Sequence, residues 1–501
     1  MDSLVYRLQK DPFIDKISKI AKKQRFKLYL VGGFLRDLYL ARLKKDYDLD
    51  FATPKDAIKI ARFFSRKLKS GFVVLDKIHA TARVVYREED AKHTIDFSDF
   101  RASSLKEDLY KRDFTINTLA LALDDLEKIG NFKKSVKDHY NAISDIDGRK
   151  IAVLNRQTFD EDPLRILRAF SLSANLGFKI MPGTLSLIKL KKEKIRHMAA
   201  ERINEELFKI LGTDDSVNIL RMMDRLKVLK ILIPQIKVMY AVKQGPYHHL
   251  DVWGHSLEAL FQFESYIRQL PKDSRIKDYL EEVISANHRR FQLLKLAIIL
   301  HDIAKPETMF IEDGKTKFYG HERAALKFVE AISKRLRFST REKELISRVV
   351  LWHLRPGYLA DSKVLSQRAK FRFFRDTAGE ALSVLLISLA DQRATRGPLT
   401  NKTSRSRHEK LVADLIGEYF KDKEERKQPR LITGHDLIKK FKLGPSPLIG
   451  KILAEIREAQ AVGLIKTKKE ALRHADLFIK KNQARLGRYV RARKSACLTG
   501  P

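Results

Sequence analysis

Two glycines and two aspartates near the start of the chain have the residue types that phosphate and metal chemistry requires. The apolar run 28–31 precedes Gly32 and Gly33, and a helix-like segment then leads to Asp46 and Asp48. This order is typical of a strand, a phosphate-binding turn, a helix and a second strand. Residues i and i+2 of a strand share a face, so Asp46 and Asp48 would present their carboxylates together. Such oxygen ligands suit Mg²⁺, and the segment predicts nucleotidyl transfer.

The register of the aspartates is ambiguous from spacing alone. Asp48-Leu49-Asp50 repeats the Asp46-Tyr47-Asp48 spacing one step later. We assign the metal-binding pair to Asp46 and Asp48, because of their distance from Gly33, and interpret Asp50 and Asp99 as surface aspartates in turns. A shift by one step remains the alternative.

The totals point towards a polyanionic partner. The chain has 501 residues, enough for three or four domains of about 100–200 residues each. Its 100 Lys and Arg against 63 Asp and Glu give a formal charge of +37, which favours nucleic acid, although solvated helix faces also produce such an excess. One cysteine, Cys497, excludes a disulfide within the chain and a cysteine-rich zinc site. With no apolar signal segment at the start, these features predict a soluble cytoplasmic protein.

Residues 31–37 and 45–48 resemble the first motif of the bacterial-type tRNA nucleotidyltransferase and poly(A) polymerase family, of the class II type whose CCA-adding members include proteins with an HD domain. The resemblance implies an α+β fold, with an N-terminal palm like that of DNA polymerase beta, built on a mixed sheet with helices. Mostly α-helical domains would follow. It also implies that Gly32, Gly33 and Arg36 bind the nucleotide and that Mg²⁺ is the cofactor of the transferase site.

Two later segments resemble further motifs of this family. In segment 94–101, Asp96 matches the third metal-binding carboxylate, which makes Asp46, Asp48 and Asp96 the implied catalytic set. Segment 109–120 resembles the second motif, which lies near the incoming ribose and helps to select a ribonucleotide. The matching residues are Arg112, Asp113 and Asn117.

Segment 159–169 resembles the family's fourth motif. On a helix, Asp162 and Arg165 would be i and i+3 neighbours, and a surface ion pair between them is the plain alternative. The resemblance implies that the two residues read the Watson–Crick edge of CTP or ATP, and that Arg168 belongs to the same nucleotide-binding set. A carboxylate acceptor and a guanidinium fork are suited to such edges.

A second group of residues begins after residue 244. It consists of histidines and aspartates in mostly helical surroundings, in the order His, His-Asp, His, His, Asp: His255, His301, Asp302, His321, His353 and Asp391. The group resembles the metal site of an HD-type phosphohydrolase domain. Imidazole and carboxylate ligands together suit Zn²⁺, Mn²⁺, Co²⁺ or Ni²⁺. The pair His435-Asp436 follows the last of these residues, and we interpret it as a helix start.

We predict four domains: a palm at 1–150, a helical nucleotide-selecting and RNA-binding neck at 151–243, an HD domain at 244–397, and a C-terminal helical tRNA-binding module with a basic tail at 398–501. Basic residues in the last domain are candidates for contacts with the RNA backbone. They are Lys451, Arg485, Arg488, Arg491 and Arg493.

These resemblances imply an enzyme that adds CMP and AMP to the 3′ end of tRNA from CTP and ATP without a nucleic-acid template, and that releases pyrophosphate. Four alternatives remain open from the sequence. They are a partial enzyme that adds only CC or only A, a poly(A) polymerase, an HD-type phosphohydrolase acting on RNA ends or nucleotides, and a non-catalytic RNA-binding protein. Segment 86–93 lies where the family has a mobile loop that controls the choice between complete and partial addition.

Overall fold

The computed structural model describes residues 3–43, 45–88, 91–128, 130–285, 288–362, 364–424 and 429–481. The chain divides into two compact units, Met1–Pro234 and Gln235–Pro501. Within the described residues, the helix Lys402–Glu424 is the longest, and no helix has the length and the apolar composition that a membrane crossing requires.

The first unit contains a mixed six-stranded sheet in the order β3-β4-β5-β2-β1-β6. β2 runs parallel to β5, and its other neighbour, β1, is antiparallel. β4 pairs antiparallel with both β3 and β5. The strands are β1 (Tyr29–Val31), β2 (Asp48–Thr53), β3 (Gly71–Asp76), β4 (Thr81–Glu88), β5 (Ala91–Asp99) and β6 (Ala120–Ala122).

Helices and a small two-stranded sheet complete the first unit. The helices are α1 (Ser3–Lys10), α2 (Pro12–Lys23), α3 (Gly33–Tyr39), α4 (Ala57–Leu68), α5 (Leu105–Tyr110), α6 (Phe132–Ser135), α7 (Ala142–Asp147), α8 (Thr158–Glu161), α9 (Arg165–Leu176), α10 (Pro182–Lys191), α11 (Ala200–Leu211), α12 (Ser216–Arg225) and α13 (Leu229–Leu232). The small sheet pairs β7 (Lys150–Ile151) with β8 (Lys179–Ile180). 3₁₀ turns lie at Thr115–Asn117, Leu123–Lys128 and Lys192–His197, and a further one, Pro234–Met239, begins at the last residue of this unit.

The second unit is mostly helical. Its helices are α14 (Val252–Gln269), α15 (Arg275–Glu281), α16 (Arg290–Leu300), α17 (Lys305–Thr308), α18 (His321–Arg335), α19 (Thr340–Trp352), α20 (Arg355–Ala360), α21 (Gln367–Thr377), α22 (Ala381–Ala394), α23 (Lys402–Glu424), α24 (Gly434–Phe441) and α25 (Pro447–Ala461). Two short hairpins join β9 (Val283–Ser285) to β10 (His288–Arg289) and β11 (Phe310–Glu312) to β12 (Lys315–Lys317). Every residue of α16 is buried, including the polar Arg290, Gln292 and Lys295.

The predicted fold class is confirmed, because a mixed sheet with helices precedes a mostly helical remainder. The four domain boundaries stay predictions. In segment 86–93, residues 86–88 of β4 pair with residues 91–93 of β5, and residues 89 and 90 lie outside the described residues. The role of this segment in the choice between complete and partial addition stays a prediction.

Candidate functional site

The carboxylates of Asp48, Asp50 and Asp96 share one face of the six-stranded sheet. In β2, Leu49 and Phe51 point into the core with at most 1% exposure, so the alternating Asp48 and Asp50 point the other way. Asp50 pairs with Asp96 of the parallel strand β5. Because residues paired across a sheet share a face, three carboxylates lie on the same face, and such oxygen ligands suit a divalent cation.

Burial and the neighbouring charges both shift the pKa values of Asp48 and Asp50. Burial raises the pKa of Asp50 to about 6, the nearby Arg112 opposes this rise, and Asp48 and Asp96 add to it. Burial and the charge of Asp96 also raise the pKa of Asp48. Because a cation would relieve the cost of ionising these neighbouring carboxylates, the donor set fits a bound divalent metal ion.

Gly32 packs directly against this carboxylate cluster. Its φ of 81° lies in the left-handed region that favours glycine. A Cβ atom at this position would lie 3.0 Å from Oδ2 of Asp50 and 3.2 Å from Nη1 of Arg112. At Gly33, the first residue of α3, a Cβ would lie 3.3 Å from Nη2 of Arg36. The glycine pair therefore lets the backbone approach both the carboxylates and their neighbouring cations.

Asp46 does not join the cluster, and the prediction that Asp46 and Asp48 share a strand is wrong. β2 begins at Asp48, whereas Asp46 is exposed in the preceding bend, where its Oδ1 accepts a hydrogen bond from the backbone N–H of Lys92 at 3.0 Å. The i and i+2 argument therefore applies one step later, to Asp48 and Asp50. The signal for Asp50 was present in the sequence, because Asp50 alternates with the apolar Phe51.

Four predicted nucleotide-binding residues are connected by polar contacts. Arg36 donates from Nη1 to Oδ1 of Asn117 at 2.5 Å, and Asn117 donates from Nδ2 to Oδ1 of Asp113 at 2.9 Å. Nε of Arg168 lies 3.0 Å from the other oxygen of Asp113. Burial acts to raise the pKa of Asp113, but Arg168 and Asn117 outweigh it and hold that pKa below its usual value. Three separate segments thus form one preorganised polar wall.

Asp162 and Arg165 do not lie on one helix, so their prediction as helical neighbours is wrong. α8 ends before Asp162, which is extended with φ −146° and ψ 101°, and α9 begins at Arg165. Pro163 explains the break, because proline disfavours the helical conformation in the residue before it. Asp162 instead pairs with Arg202 at 2.9 Å, and the buried Arg165 donates from Nη2 to the carbonyl of Lys111 at 2.9 Å.

A cavity of about 340 Å³ opens beside Asp48. Side chains of both signs line it, including Arg36, Arg168, Lys209 and the buried Glu206. Nζ of Lys209 lies 2.9 Å from Oε1 of Glu206. The volume of this cavity is in the range of sites that bind small molecules. Segment 200–207 resembles the family's fifth motif, but the sequence did not single out Glu206 within it as a site residue.

In the second unit, the structure brings the six predicted HD residues together. Nε2 of His255 lies 2.8 Å from Oδ1 of Asp391, and Nε2 of His301 lies 3.2 Å from Oδ2 of Asp302. The ring of His321 approaches Asp302 to 3.2 Å. His353 follows α19, and its Nε2 lies 3.4 Å from Nε2 of His321. Five of the six residues are buried, and Asp391 is partly buried.

The imidazole rings of this cluster are oriented by their own backbone. Nδ1 of His301, His321 and His353 each lies 2.7–2.8 Å from the carbonyl oxygen three residues earlier in the chain. In the neutral form of each ring, an Nδ1–H that donates to a carbonyl leaves the lone pair on Nε2, so this arrangement lets three Nε2 atoms serve as ligands in the cluster. Subsets of the cluster have ligand atoms within 4.8 Å of one another, so the residues fit a transition metal ion.

Electrostatics in this cluster are strong. Burial acts to lower the pKa of His301, but Asp302 and Asp391 outweigh it and raise that pKa to about 10. Burial, followed by the charges of His301 and His321, lowers the pKa of His353 to about 3. The two aspartates therefore attract positive charge into a site from which water is largely excluded.

Lys305 is a neighbour of the cluster that the sequence did not single out. Its Nζ lies 2.6 Å from Oδ2 of Asp302 and donates to Oε1 of Gln244 at 2.7 Å. The signal was its place three residues after Asp302, close to one turn further along the chain. His435-Asp436 is a helix start, as predicted, because Asp436 completes a capping box with Thr433.

One RNA-binding candidate lies within the described residues. Lys451 is exposed on α25. The other candidates, Arg485, Arg488, Arg491 and Arg493, lie outside the described residues.

Family models match four successive parts of the chain. Residues 28–152 match the Poly A polymerase head domain, and residues 177–239 match an RNA- and SrmB-binding site of polymerase A. Residues 252–396 match the HD domain, and residues 377–475 match a tRNA nucleotidyltransferase domain 2. The matched segments contain the carboxylate cluster, the HD cluster and Lys451.

Similar proteins and structures agree with these matches. The chain is 27% identical to an A-adding tRNA nucleotidyltransferase of Deinococcus radiodurans, over 88% of this chain and 93% of that protein. It is also 27% identical to a CC-adding tRNA nucleotidyltransferase of Thermus thermophilus, over 88% and 91%. A CCA-adding enzyme of Thermotoga maritima, solved with tRNA, shares the fold with a TM-score of 0.61 at 22% identity, over 95% and 98%.

Proposed function

We propose a function from the premise that this chain belongs to the bacterial-type tRNA nucleotidyltransferase and poly(A) polymerase family, among its CCA-adding members with an HD domain. The chain is an enzyme, a tRNA nucleotidyltransferase that adds CMP and AMP, as CCA or a part of it, to the 3′ end of tRNA. Its similarity to both A-adding and CC-adding proteins leaves the extent of addition to experiment.

The observation that carries this proposal is the meeting of Asp48, Asp50 and Asp96 on one sheet face beside Gly32. These three aspartates hold the catalytic metal, in place of the set that began with Asp46. When bound there, Mg²⁺ neutralises the charge that develops on the phosphate oxygens. The terminal 3′-OH of tRNA forms a bond to the α-phosphate, the bond to the β-phosphate breaks, and pyrophosphate leaves.

The polar wall positions groups that contact the incoming nucleotide. Asp113 holds Asn117 and Arg168 in fixed orientations, and Asn117 in turn holds Arg36 beside Gly33. This chain of contacts places hydrogen-bonding groups for the ribose and cationic groups for the triphosphate before the nucleotide arrives, which lowers the cost of ordering them. Arg112, packed against Gly32, supplies a further cation at the phosphates.

Base selection is assigned to Asp162 and Arg165. For this role Arg165 must exchange its present contact with the Lys111 carbonyl for the nucleobase, while Arg202 holds Asp162 in place. Exposed basic residues of the C-terminal region, with Lys451 among them, bind the tRNA backbone through charge.

The test is nucleotide incorporation into three tRNA transcripts, which end before CCA, after C and after CC. CTP and ATP are offered separately and together with Mg²⁺. We expect CMP, AMP or both to be added in the order that completes CCA. Arrest after CC, or addition of A only to the CC-ended transcript, identifies a partial enzyme. Long A-tracts on unrelated RNA identify a poly(A) polymerase, and a lack of incorporation on every transcript contradicts the transferase proposal.

A second function is favoured by the HD cluster. Three imidazoles with directed Nε2 atoms and two neighbouring carboxylates form a site for Zn²⁺, Mn²⁺, Co²⁺ or Ni²⁺. A metal ion held by these residues would lower the pKa of a bound water and so would supply a nucleophile for phosphoester hydrolysis. We therefore propose a phosphohydrolase activity in the second unit, with Lys305 positioned to contact the phosphate.

The activity is tested with the full chain and bis(p-nitrophenyl) phosphate, with each of the four metals added separately. We expect hydrolysis that is lost in Asp302→Ala and retained in His435→Ala, since His435 belongs to a helix cap. Equal hydrolysis by both variants would assign the activity to a contaminant or to another site.

A further inference from the structure

Arg83 makes a two-point contact with one of the proposed metal ligands. Its Nε donates to Oδ1 of Asp96 at 2.7 Å, and one of its terminal nitrogens, Nη2, donates to Oδ2 at 2.7 Å. The two residues are directly paired across β4 and β5, so they share the sheet face that carries Asp48 and Asp50. Both oxygens of Asp96 are thus engaged by a single guanidinium.

The strength of this contact follows from its geometry. A planar guanidinium matches the two oxygens of a carboxylate, and such paired hydrogen bonds are among the stronger polar contacts in proteins. The Arg83 side chain is 38% exposed and that of Asp96 is 17% exposed, so solvent weakens the attraction without removing it. The hydrogen bond to Asp96 is also the largest cause of a raised pKa for Arg83.

We propose that Arg83 is an internal counter-ion that competes with the divalent metal for Asp96. It holds the carboxylate in one orientation in the metal-free enzyme, and it releases at least one carboxylate oxygen when the metal enters. The inference rests on the proposed metal site at Asp48, Asp50 and Asp96, and adds to it a residue that lowers affinity for free metal.

A positioning role makes the opposite prediction. If Arg83 served only to orient Asp96 towards the metal, its removal would weaken metal binding, because a disordered ligand binds less well. Competition instead requires that removal of Arg83 strengthens metal binding. The sign of the change therefore separates the two roles.

The experiment measures free Mn²⁺ by electron paramagnetic resonance during titration of the full-length protein. The Asp50→Asn variant loses the sheet site and keeps the HD cluster. The Mn²⁺ that it binds is therefore subtracted from the Mn²⁺ bound by the other proteins, which leaves the binding at the sheet site. For Arg83→Gln we expect the Kd of the sheet site to fall by roughly threefold to tenfold, as removal of a partly exposed ion pair allows. Arg83→Lys, which keeps the charge and loses the fork, should lie between wild type and Arg83→Gln.

Arg87→Gln is the matched control, because Arg87 is an exposed arginine on the same strand. Its Kd should stay within about twofold of wild type, since exposed charges at a distance are screened. An unchanged or higher Kd in Arg83→Gln, or an equal decrease in Arg87→Gln, would overturn the competition. The absence of any Mn²⁺ binding that depends on Asp50 in the wild type would instead overturn the metal site of the proposed function.

Discussion

The carboxylate cluster of the first unit and the HD cluster of the second unit, the two proposed metal sites, differ in ligand type and burial. Asp48, Asp50 and Asp96 lie on strands at a sheet face, with oxygen ligands only and arginines as neighbours. The HD cluster uses imidazole as well as carboxylate, lies on helices and at helix ends, and is largely buried.

The difference indicates two uses of a metal. Oxygen ligands at an open face suit a hard cation that arrives and leaves with a triphosphate. Buried imidazoles with fixed Nε2 lone pairs suit a transition metal that stays bound through many turnovers. The predictions below test whether this contrast between exchangeable and resident metal is correct.

The largest expected effect is the loss of nucleotide addition in Asp50→Asn. The change removes one negative charge from the sheet cluster and preserves the shape of the side chain, so we expect the single-turnover rate of CMP or AMP incorporation to fall by about 10³-fold or more. The matched control is Asp46→Asn, which alters an exposed residue in a bend and should stay within about twofold. A large loss of activity in Asp46→Asn and a small one in Asp50→Asn would instead support Asp46 and Asp48 as the metal-binding pair.

The second prediction concerns metal retention in the HD cluster. Asp302→Ala should lower the affinity for Mn²⁺, Co²⁺, Ni²⁺ or Zn²⁺ by more than about 100-fold, because even changes to residues around metal ligands cost about 10–100-fold. Metal content after dialysis, measured by mass spectrometry, gives the result. His435→Ala should retain the wild-type content. If the wild-type protein loses its metal as readily as Asp302→Ala does, the HD cluster does not hold a resident metal.

The third prediction is a pH-dependent gain of stability in Asp50→Asn without metal. Since the pKa of Asp50 is raised to about 6 in the folded protein, its ionised form costs free energy. That cost is fully present above pH 6 and disappears as the pH falls through 6 towards the ordinary aspartate value. The free energy of unfolding of the variant should therefore exceed that of wild type by about 2 kcal/mol at pH 8, and the two should be nearly equal near pH 4.

Thermal unfolding in EDTA measures this difference. Added Mg²⁺ at pH 8 should stabilise wild type and not Asp50→Asn, which reduces the gap between them. An Asp50→Asn variant that is less stable than wild type at pH 8 would show that ionised Asp50 does not cost stability in the folded protein.

The smallest expected effect separates backbone strain from site geometry. Gly32 and Gly177 both have positive φ, at 81° and 71°, so alanine at either position should cost about 1–2 kcal/mol of stability. Only at Gly32 would the new Cβ meet Asp50 and Arg112, since no heavy atom lies within 4 Å at Gly177. Incorporation assays should therefore show a loss for Gly32→Ala alone. Equal activity of the two variants would mean that the cluster tolerates displacement of Asp50.

Much of the architecture was predictable because it depends on short-range rules. The glycine turn and the alternation along β2 are local patterns, and the structure contains both. The order of the HD residues was instead predicted from the family resemblance, and the structure brings these residues together. The helix start at Thr433 and Asp436 was also predictable, since a capping box involves residues three apart. Local rules also misled. A helix was expected across Asp162 and Arg165, although the Pro163 between them favours the extended conformation that Asp162 adopts.

The fold class and the motifs could be predicted from the sequence through the family resemblance, and the residue types of both clusters are visible in it directly. Which carboxylates share a face could not be predicted, because it depends on the parallel pairing of β2 with β5, which places Asp50, not Asp46, opposite Asp96. The same strand pairing brings Arg83 onto Asp96. Strand register joins residues that are far apart in the chain, and its choice depends on burial of Leu49, Phe51 and their neighbours across the whole sheet.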